Sequence, residues 1–223
     1  MLTSRSLRHC VTALAAAVLL PAALAAQACL GNPSFAQGHL QLSGDVMTGN
    51  DATSFGAGWG GGSESVFGGV FAGGTTFKGV TGTQLLAGAN IGYQVPATAG
   101  TAQICPLLSA QFGFGPKDID GFGTDLTSRA VGFGLALGGE LVRGSRLAIV
   151  PSVQLGFAYS ANIFDGVGGS VEEADTYGTA GLALGLVLND QLSVRPNVLF
   201  PIGLEGADPV FGIGFSLNYG GRR

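Results

Sequence analysis

Residues 131–141 read VGFGLALGGEL, and this stretch decides the fold. Large apolar side chains recur at every second position except 139, which is glycine, and the positions between them are glycine, alanine and, at 140, glutamate. A repeat of two places successive side chains on opposite faces of an extended chain, so it predicts a β-strand with one apolar face. The same repeat returns at 85–95 and at 211–219. Each stretch has about the ten residues that a tilted strand needs to cross a membrane.

The opposite face of these strands consists of Gly, Ala, Ser, Asn and Gln and is almost uncharged. Such a face makes a poor exterior for a protein in water, but it suits a narrow lumen that bulky side chains would fill. The apolar face then meets lipid, as in transmembrane barrels. We therefore predict an all-β fold, a closed antiparallel up-and-down transmembrane β-barrel. The alternative is a soluble all-β domain in the periplasm.

The composition also favours a membrane protein. Of the 223 residues, 40 are glycine and only 11% are charged, against about 25% in soluble domains. Mean hydropathy is +0.42, yet beyond the N-terminal region no stretch approaches the length of a transmembrane helix. A closed barrel is the other structure that satisfies every backbone hydrogen bond in lipid. The formal net charge of −4, without a basic patch, argues against nucleic acid as a partner.

Residues 1–26 have the three parts of a secretory signal peptide. A short basic region is followed by an apolar run at 11–20 and by small residues that lead to a cleavage site after Ala25 or Ala26. The alternative is a membrane anchor, which needs a longer run of about 20 apolar residues. The rest of the chain divides into an N-terminal periplasmic segment at 27–36, the barrel at 37–219 and a tail at 220–223.

The alternating pattern predicts ten strands, with eight as the alternative if one hairpin is counted in excess. We place them at 37–46, 54–62, 66–77, 83–95, 103–115, 128–142, 146–161, 175–188, 192–203 and 209–219. The connections after even-numbered strands are short, whereas two of those after odd-numbered strands are long, at 116–127 and 162–174. Short periplasmic turns and longer outer loops are typical of outer-membrane barrels, and an even strand number leaves both termini in the periplasm.

Acidic residues are concentrated at the predicted outer end. The connections after even-numbered strands contain only Glu64 and Asp190, and a bias of this kind is not explained by loops being solvated in general. The connections after odd-numbered strands contain Asp51, Asp118, Asp120, Asp125, Asp165, Glu172, Glu173, Glu205 and Asp208.

These features resemble the bacterial outer-membrane β-barrel proteins, in the broad group of small OmpX- and OmpA-like barrels. The resemblance covers the signal peptide and nearly all of 37–219. It implies outer-membrane lipid and the barrel-assembly machinery as partners, and we expect a monomer. Its most specific element is the last strand, which looks like the terminal aromatic strand that this machinery recognises, although the chain continues for four residues beyond it. The outward residues of that strand are Phe211, Ile213, Phe215, Leu217 and Tyr219.

Two cysteines remain after the signal peptide is removed, Cys29 and Cys105. An even pair in an oxidising compartment predicts one disulfide. The alternative is a lipoprotein with Cys29 acylated, but Ala26 stands where such precursors usually carry a larger aliphatic residue. Because Cys105 faces the lumen by alternation, the disulfide would draw segment 27–36 across the periplasmic mouth. We predict that this segment partly plugs the opening.

No arrangement of residues indicates an enzyme or a cofactor. The one histidine outside the signal peptide, His39, lies at the periplasmic start of the first strand, and no Cys/His cluster or phosphate-binding loop is present in the sequence. Asp118, Asp120 and Asp125 form a weak candidate for a Ca²⁺ site, because closely spaced carboxylates bind hard cations. The alternative is a solvated acidic loop.

Three charged residues fall within predicted strands and face the lumen by alternation: Asp45, Glu140 and Arg195. Glu140 and Arg195 lie at similar depth, so they are either a gate or selectivity pair or an ordinary structural ion pair. Two functions stay open. The first is a structural or surface-interaction barrel with a filled lumen, and the second is a narrow passive pore for small solutes.

Overall fold

The chain forms a closed barrel of ten antiparallel strands. A computed structural model describes residues 28–31, 40–62, 65–96, 102–117, 123–143, 147–166, 168–188, 191–204 and 206–219. The strands are β1 Leu40–Thr48, β2 Ala52–Gly62, β3 Val66–Phe77, β4 Thr83–Tyr93, β5 Ala102–Phe114, β6 Asp125–Gly139, β7 Leu147–Gly166, β8 Gly169–Leu188, β9 Leu192–Ile202 and β10 Val210–Tyr219.

Each strand pairs with the next one along the chain, and β10 pairs with β1, so the sheet closes. Two short pieces, Val95–Pro96 and Val142–Arg143, extend the pairing at the inner ends of β5 and β7. The fold class and the count of ten strands are therefore confirmed, and the alternative count of eight is wrong. Among the described residues, no helix is long and apolar enough to cross a membrane.

The strands are staggered around the barrel. Cross-strand partners lead from Arg195 in β9 to Gly214 in β10 and Asp45 in β1. Continued through the remaining strands, the same path arrives at Glu173 in β8. Glu173 lies beyond the point where β9 ends, because β8 and β9 pair only as far as Gly178 and Ile202. This offset is the stagger that tilted strands need in order to close.

The two faces of the strands divide as the alternation predicted. In β6 the residues Val131, Phe133, Leu135 and Leu137 are exposed on the outside, Phe133 by 56%, whereas Ala136 on the inner face is 1% exposed. Gly132, Gly134 and Gly138 also lie in the inward register. The outside is therefore an apolar belt suited to lipid, with the small residues inside.

Phenylalanines from β3 fill part of the lumen. Phe67 is 2% exposed and Phe71 is also buried. Each ring lies against a glycine of β4, since a Cβ added at Gly92 would overlap the ring of Phe67 and one at Gly88 that of Phe71. These glycines therefore make room for aromatic rings inside a narrow barrel, a packing role that is specific to β3 and β4.

The prediction that 162–174 is an outer loop is wrong, because most of this range is β-strand. Residues 162–166 belong to β7 and residues 169–174 to β8, strands of 20 residues each that stay paired from Leu147–Leu188 out to Gly166–Gly169. Residues 169–172 are all exposed, so both faces of β8 are accessible near the tip of the hairpin. A strand without a buried face has no apolar alternation, so the pattern gave no signal there.

Glu140 does not lie within a strand as predicted. β6 ends at Gly139, and the pairing with β7 shifts by one residue between Gly138–Ser152 and Val142–Ile149. Such a shift is a β-bulge, which breaks the regular alternation of side chains. Glu140 is half-buried at this bulge.

Candidate functional site: the lumen and its N-terminal plug

A short N-terminal segment lies inside the barrel. Ala28–Leu30 form one 3₁₀ turn, and residues 28–31 are called the plug below. Cys29 is disulfide-bonded to Cys105 of β5, with a Cα–Cα distance of 6.1 Å, and both cysteines are fully buried. The predicted disulfide is confirmed, and the lipoprotein alternative is wrong because the sulfur of Cys29 is already bonded. Residues 27 and 32–36 of the predicted plugging segment lie outside the described residues.

Arg195 of β9 holds the plug from another side of the lumen. Its Nη1 donates a hydrogen bond of 2.9 Å to the carbonyl oxygen of Leu30. The guanidinium is 4% exposed and also interacts electrostatically with Asp45. Asp45 and Arg195 are both cross-strand neighbours of Gly214, so β10 separates them by one strand. A buried guanidinium needs such partners, because an isolated buried charge is costly.

The plug packs on an apolar cluster at the inner end of the lumen. Cys29, Leu30 and Cys105 form one buried cluster with Phe67, Leu107 and Ala136. On the far side, Gly31 lies against Gly185 of β8, where a side chain would overlap the carbonyl oxygen of Gly31. The plug is therefore in contact with β5 on one wall and with β8 and β9 on another.

A second apolar layer crosses the outer end. Met47, Phe77, Leu126 and Val210 are buried together, and they come from β1, β3, β6 and β10. Further partly buried residues from other parts of the ring pack against them: Ala52, Val80, Phe164 and Leu199. Because its members come from around the barrel, this layer narrows the outer end of the lumen.

A cavity of about 90 Å³ lies between the two layers. It reaches from Arg195 and from Leu30 of the inner apolar cluster to Met47 and Leu199 of the outer apolar layer. Several uncharged polar side chains line it: Ser109, Ser152, Gln154, Thr179 and Asn197. Polar side chains of this kind can hydrogen-bond water molecules in the cavity.

Uncharged polar pairs line the lumen elsewhere, and the sequence did not identify them individually. Gln41 Nε2 donates to Asn218 Oδ1 at 2.8 Å near the inner end, where β1 meets β10. Towards the outer end, the hydroxyls of Ser54 and Thr75 lie 2.7 Å apart. Each pair gives buried polar atoms a hydrogen-bond partner without adding net charge.

The remaining predicted site residues are not gathered into one centre. Asp125 is the first residue of β6 and lies opposite Asp165, while Asp118, Asp120 and His39 lie outside the described residues. Within the described part of the chain, no group of three or more His, Cys, Asp or Glu side chains could hold a metal ion. The Ca²⁺ site and a functional pairing of Glu140 with Arg195 stay predictions.

The last strand closes the barrel. The residues predicted to face outward are exposed on the outside of the barrel: Phe211, Ile213, Phe215, Leu217 and Tyr219. The hydroxyl of Tyr219 accepts a hydrogen bond of 2.7 Å from Trp59 Nε1 of β2, across the intervening β1. Recognition of this strand by the assembly machinery stays a prediction.

No protein-family model matches the chain, and no curated protein matches it. Among solved structures, the N-terminal β-barrel domain of Pseudomonas aeruginosa OprF is similar, with 16% identity and a TM-score of 0.39 over 82% of this chain and 100% of that one. Ail of Yersinia pestis is similar with 10% identity and a TM-score of 0.40, over 82% of this chain and 95% of that one.

The toluene transporter TodX of Pseudomonas putida has 12% identity and a TM-score of 0.32, over 82% of this chain and 67% of its own. At these values the likeness concerns the fold alone, and the fold itself rests on the strand pairings. Ten antiparallel strands in chain order, closed and apolar on the outside, are the architecture of the bacterial outer-membrane β-barrels that the sequence resembles.

Proposed function

We propose that this protein is an outer-membrane barrel with a closed lumen, which has a structural or surface-interaction role and no enzymatic one. The observation that carries the proposal is the plug, held on one wall by the Cys29–Cys105 disulfide and on another by Arg195. A water path would need both this plug and the apolar layer around Met47 and Phe77 to move. The outer end, with its acidic hairpin, is then the surface available to partners.

The proposal also covers the export of the protein and its location in the outer membrane. A signal peptide at 1–26 would direct export, and cleavage would leave the plug near the new N-terminus. Outer-membrane lipid would surround the apolar belt, and the assembly machinery would recognise 211–219. We propose a monomer, because ring closure leaves the barrel with no unpaired strand within the membrane.

A narrow passive pore is the second candidate. The lumen is lined by uncharged polar side chains and contains a cavity, features that favour a hydrated path if the plug were displaced. Barrels near this strand number have interiors that side chains just fill. The two functions therefore differ in one measurable property, conductance.

Planar-bilayer recording of the refolded chain tests the proposal. We expect no stepwise conductance above that of bare lipid, because the plug lies in one end of the lumen and the apolar layer narrows the other. Insertion has to be verified on the same sample by β-sheet circular dichroism and by protease resistance in vesicles. Regular conductance steps from properly inserted protein would contradict the closed lumen and favour the pore.

A further inference from the structure

The outer part of β8 has an open edge. Gly169–Tyr177 pair with β7, from Gly169–Gly166 to Tyr177–Ala158. On the other side, β9 ends its pairing with β8 at Ile202–Gly178. Leu204, which follows β9, packs against Tyr177 and Ala158. Within the described ranges, no strand pairs with this edge over 170–175.

This edge belongs to the outermost part of the sheet. Asp125, the first residue of β6, pairs with Asp165 near the tip of β7, and β7 and β8 stay paired out to Gly166 and Gly169. Val171 is 59% exposed although it lies in a paired strand. Backbone donors and acceptors along an open edge are a template for one more strand.

The negative charge around this edge indicates what kind of strand could pair with it. Five carboxylates lie on this outer sheet: Asp125, Asp165, Glu172, Glu173 and Asp175. Among the described residues of the three strands there, Arg129 is the one cation, and it forms an ion pair of 2.8 Å with Glu172. A second copy of the chain, paired edge to edge, would bring like charges together, which is unfavourable across a strand pair. A cationic strand would meet complementary charge.

We propose that the edge of β8 at 170–175 binds an extended, positively charged polypeptide as an added β-strand. Backbone hydrogen bonds would provide affinity, while Glu173 and Asp175, on one face of the strand, would select basic side chains. The inference rests on the proposed surface-interaction role and names the surface and the class of partner. Acidic residues that serve only to prevent edge-to-edge aggregation are the competing explanation.

The test uses the full chain refolded into phospholipid vesicles and a synthetic octapeptide of alternating lysine and threonine. The control peptide has the same sequence with every backbone nitrogen methylated, so it keeps the charge and loses the donors. We expect the control to bind at least about 10-fold more weakly, because the backbone hydrogen bonds across the strand pair are lost. Amide hydrogen exchange should slow at alternate residues within 170–175 when the unmodified peptide is bound.

A pair of variants tests the charge selection. Glu173→Gln combined with Asp175→Asn should weaken binding of the lysine peptide severalfold and reduce its salt dependence. Asp51→Asn, which removes an acidic group from a different outer turn, should leave the affinity unchanged. Equal binding of the methylated peptide, or no protection at 170–175, would overturn the proposal. These outcomes are independent of the conductance experiment, so failure here leaves the closed lumen standing.

Discussion

Gly185 and Gly88 show how single positions adapt to the lumen. Gly185 receives the carbonyl group of Gly31 from the plug, and Gly88 receives the ring of Phe71. Alternation predicts small residues on the inner face as a class. The structure gives these two glycines different neighbours, one in the N-terminal segment and one in β3. Any side chain at either position would displace that neighbour or the strand itself.

Substitution of a residue on the outside of the barrel tests which face of the strands meets lipid. Leu135 lies on the lipid face of β6. Leu135→Arg should lower the free energy of unfolding by about 2–4 kcal/mol if the residue lies near the membrane midplane. Urea unfolding of vesicle-inserted protein measures this. Val171→Arg is the matched control, because Val171 is an equally exposed apolar residue on the outer sheet, and its cost should be near zero. Equal stability of the two variants would show that the lipid face is wrongly assigned.

At the scale of elements, the β7–β8 hairpin is the largest difference from the sequence-based expectation. Its outer part is a paired sheet, whereas the sequence predicted a loop. The pattern missed this part because β8 is exposed on both faces near the tip, so its apolar residues do not alternate with polar ones. The prediction that residues near 168 are the outermost part of the molecule is independent of that error. Gly168 lies at the turn, and a side chain there meets nothing within 4 Å.

Labelling of Gly168→Cys tests the topology. A membrane-impermeant maleimide should react with it on intact cells, since the native cysteines are bonded to each other. Gln191→Cys, in the exposed turn between β8 and β9, is the matched variant from the opposite end and should react only after permeabilisation. The reverse pattern for the two variants would invert the orientation of the barrel in the membrane.

For the whole molecule, two contacts join parts that are distant in sequence. The Trp59–Tyr219 hydrogen bond spans the seam where β10 meets β1. The Cys29–Cys105 disulfide links residues 76 positions apart and ties the N-terminal segment to β5. Both contacts connect an end of the chain to the barrel, so each stabilises the closed form as a unit.

The disulfide should make a large contribution to global stability. Closing a segment of this length gives about 4 kcal/mol in the chain-entropy model. The free energy of unfolding of the double variant Cys29→Ser/Cys105→Ser, measured by urea unfolding, should therefore be lower than that of the oxidised wild type by this amount. Wild-type protein refolded under reducing conditions provides the comparison without a change of sequence. A loss below about 1 kcal/mol for both would mean that the link adds little beyond the remaining contacts of the plug.

Local pattern was sufficient for most of the barrel. Strand periodicity and the contrast of faces predicted ten strands, the lipid-facing side of β6 and β10, and the inward position of Asp45, Arg195 and Cys105. These properties depend on neighbours two residues apart in the same strand. The cysteine pairing could also be predicted, because only two cysteines lie outside the predicted signal peptide.

Tertiary structure alone decided which inward residues meet. Arg195 binds the carbonyl of Leu30 and interacts with Asp45 because the stagger of ten strands brings β9, β1 and the plug to one level. The bulge that removes Glu140 from its strand arises from a shift in register against β7. Register and stagger accumulate around a closed sheet, so contacts across the lumen depend on every strand pair together. The sequence by itself therefore determined which way each strand faces, and the closed barrel determined what the inward residues touch.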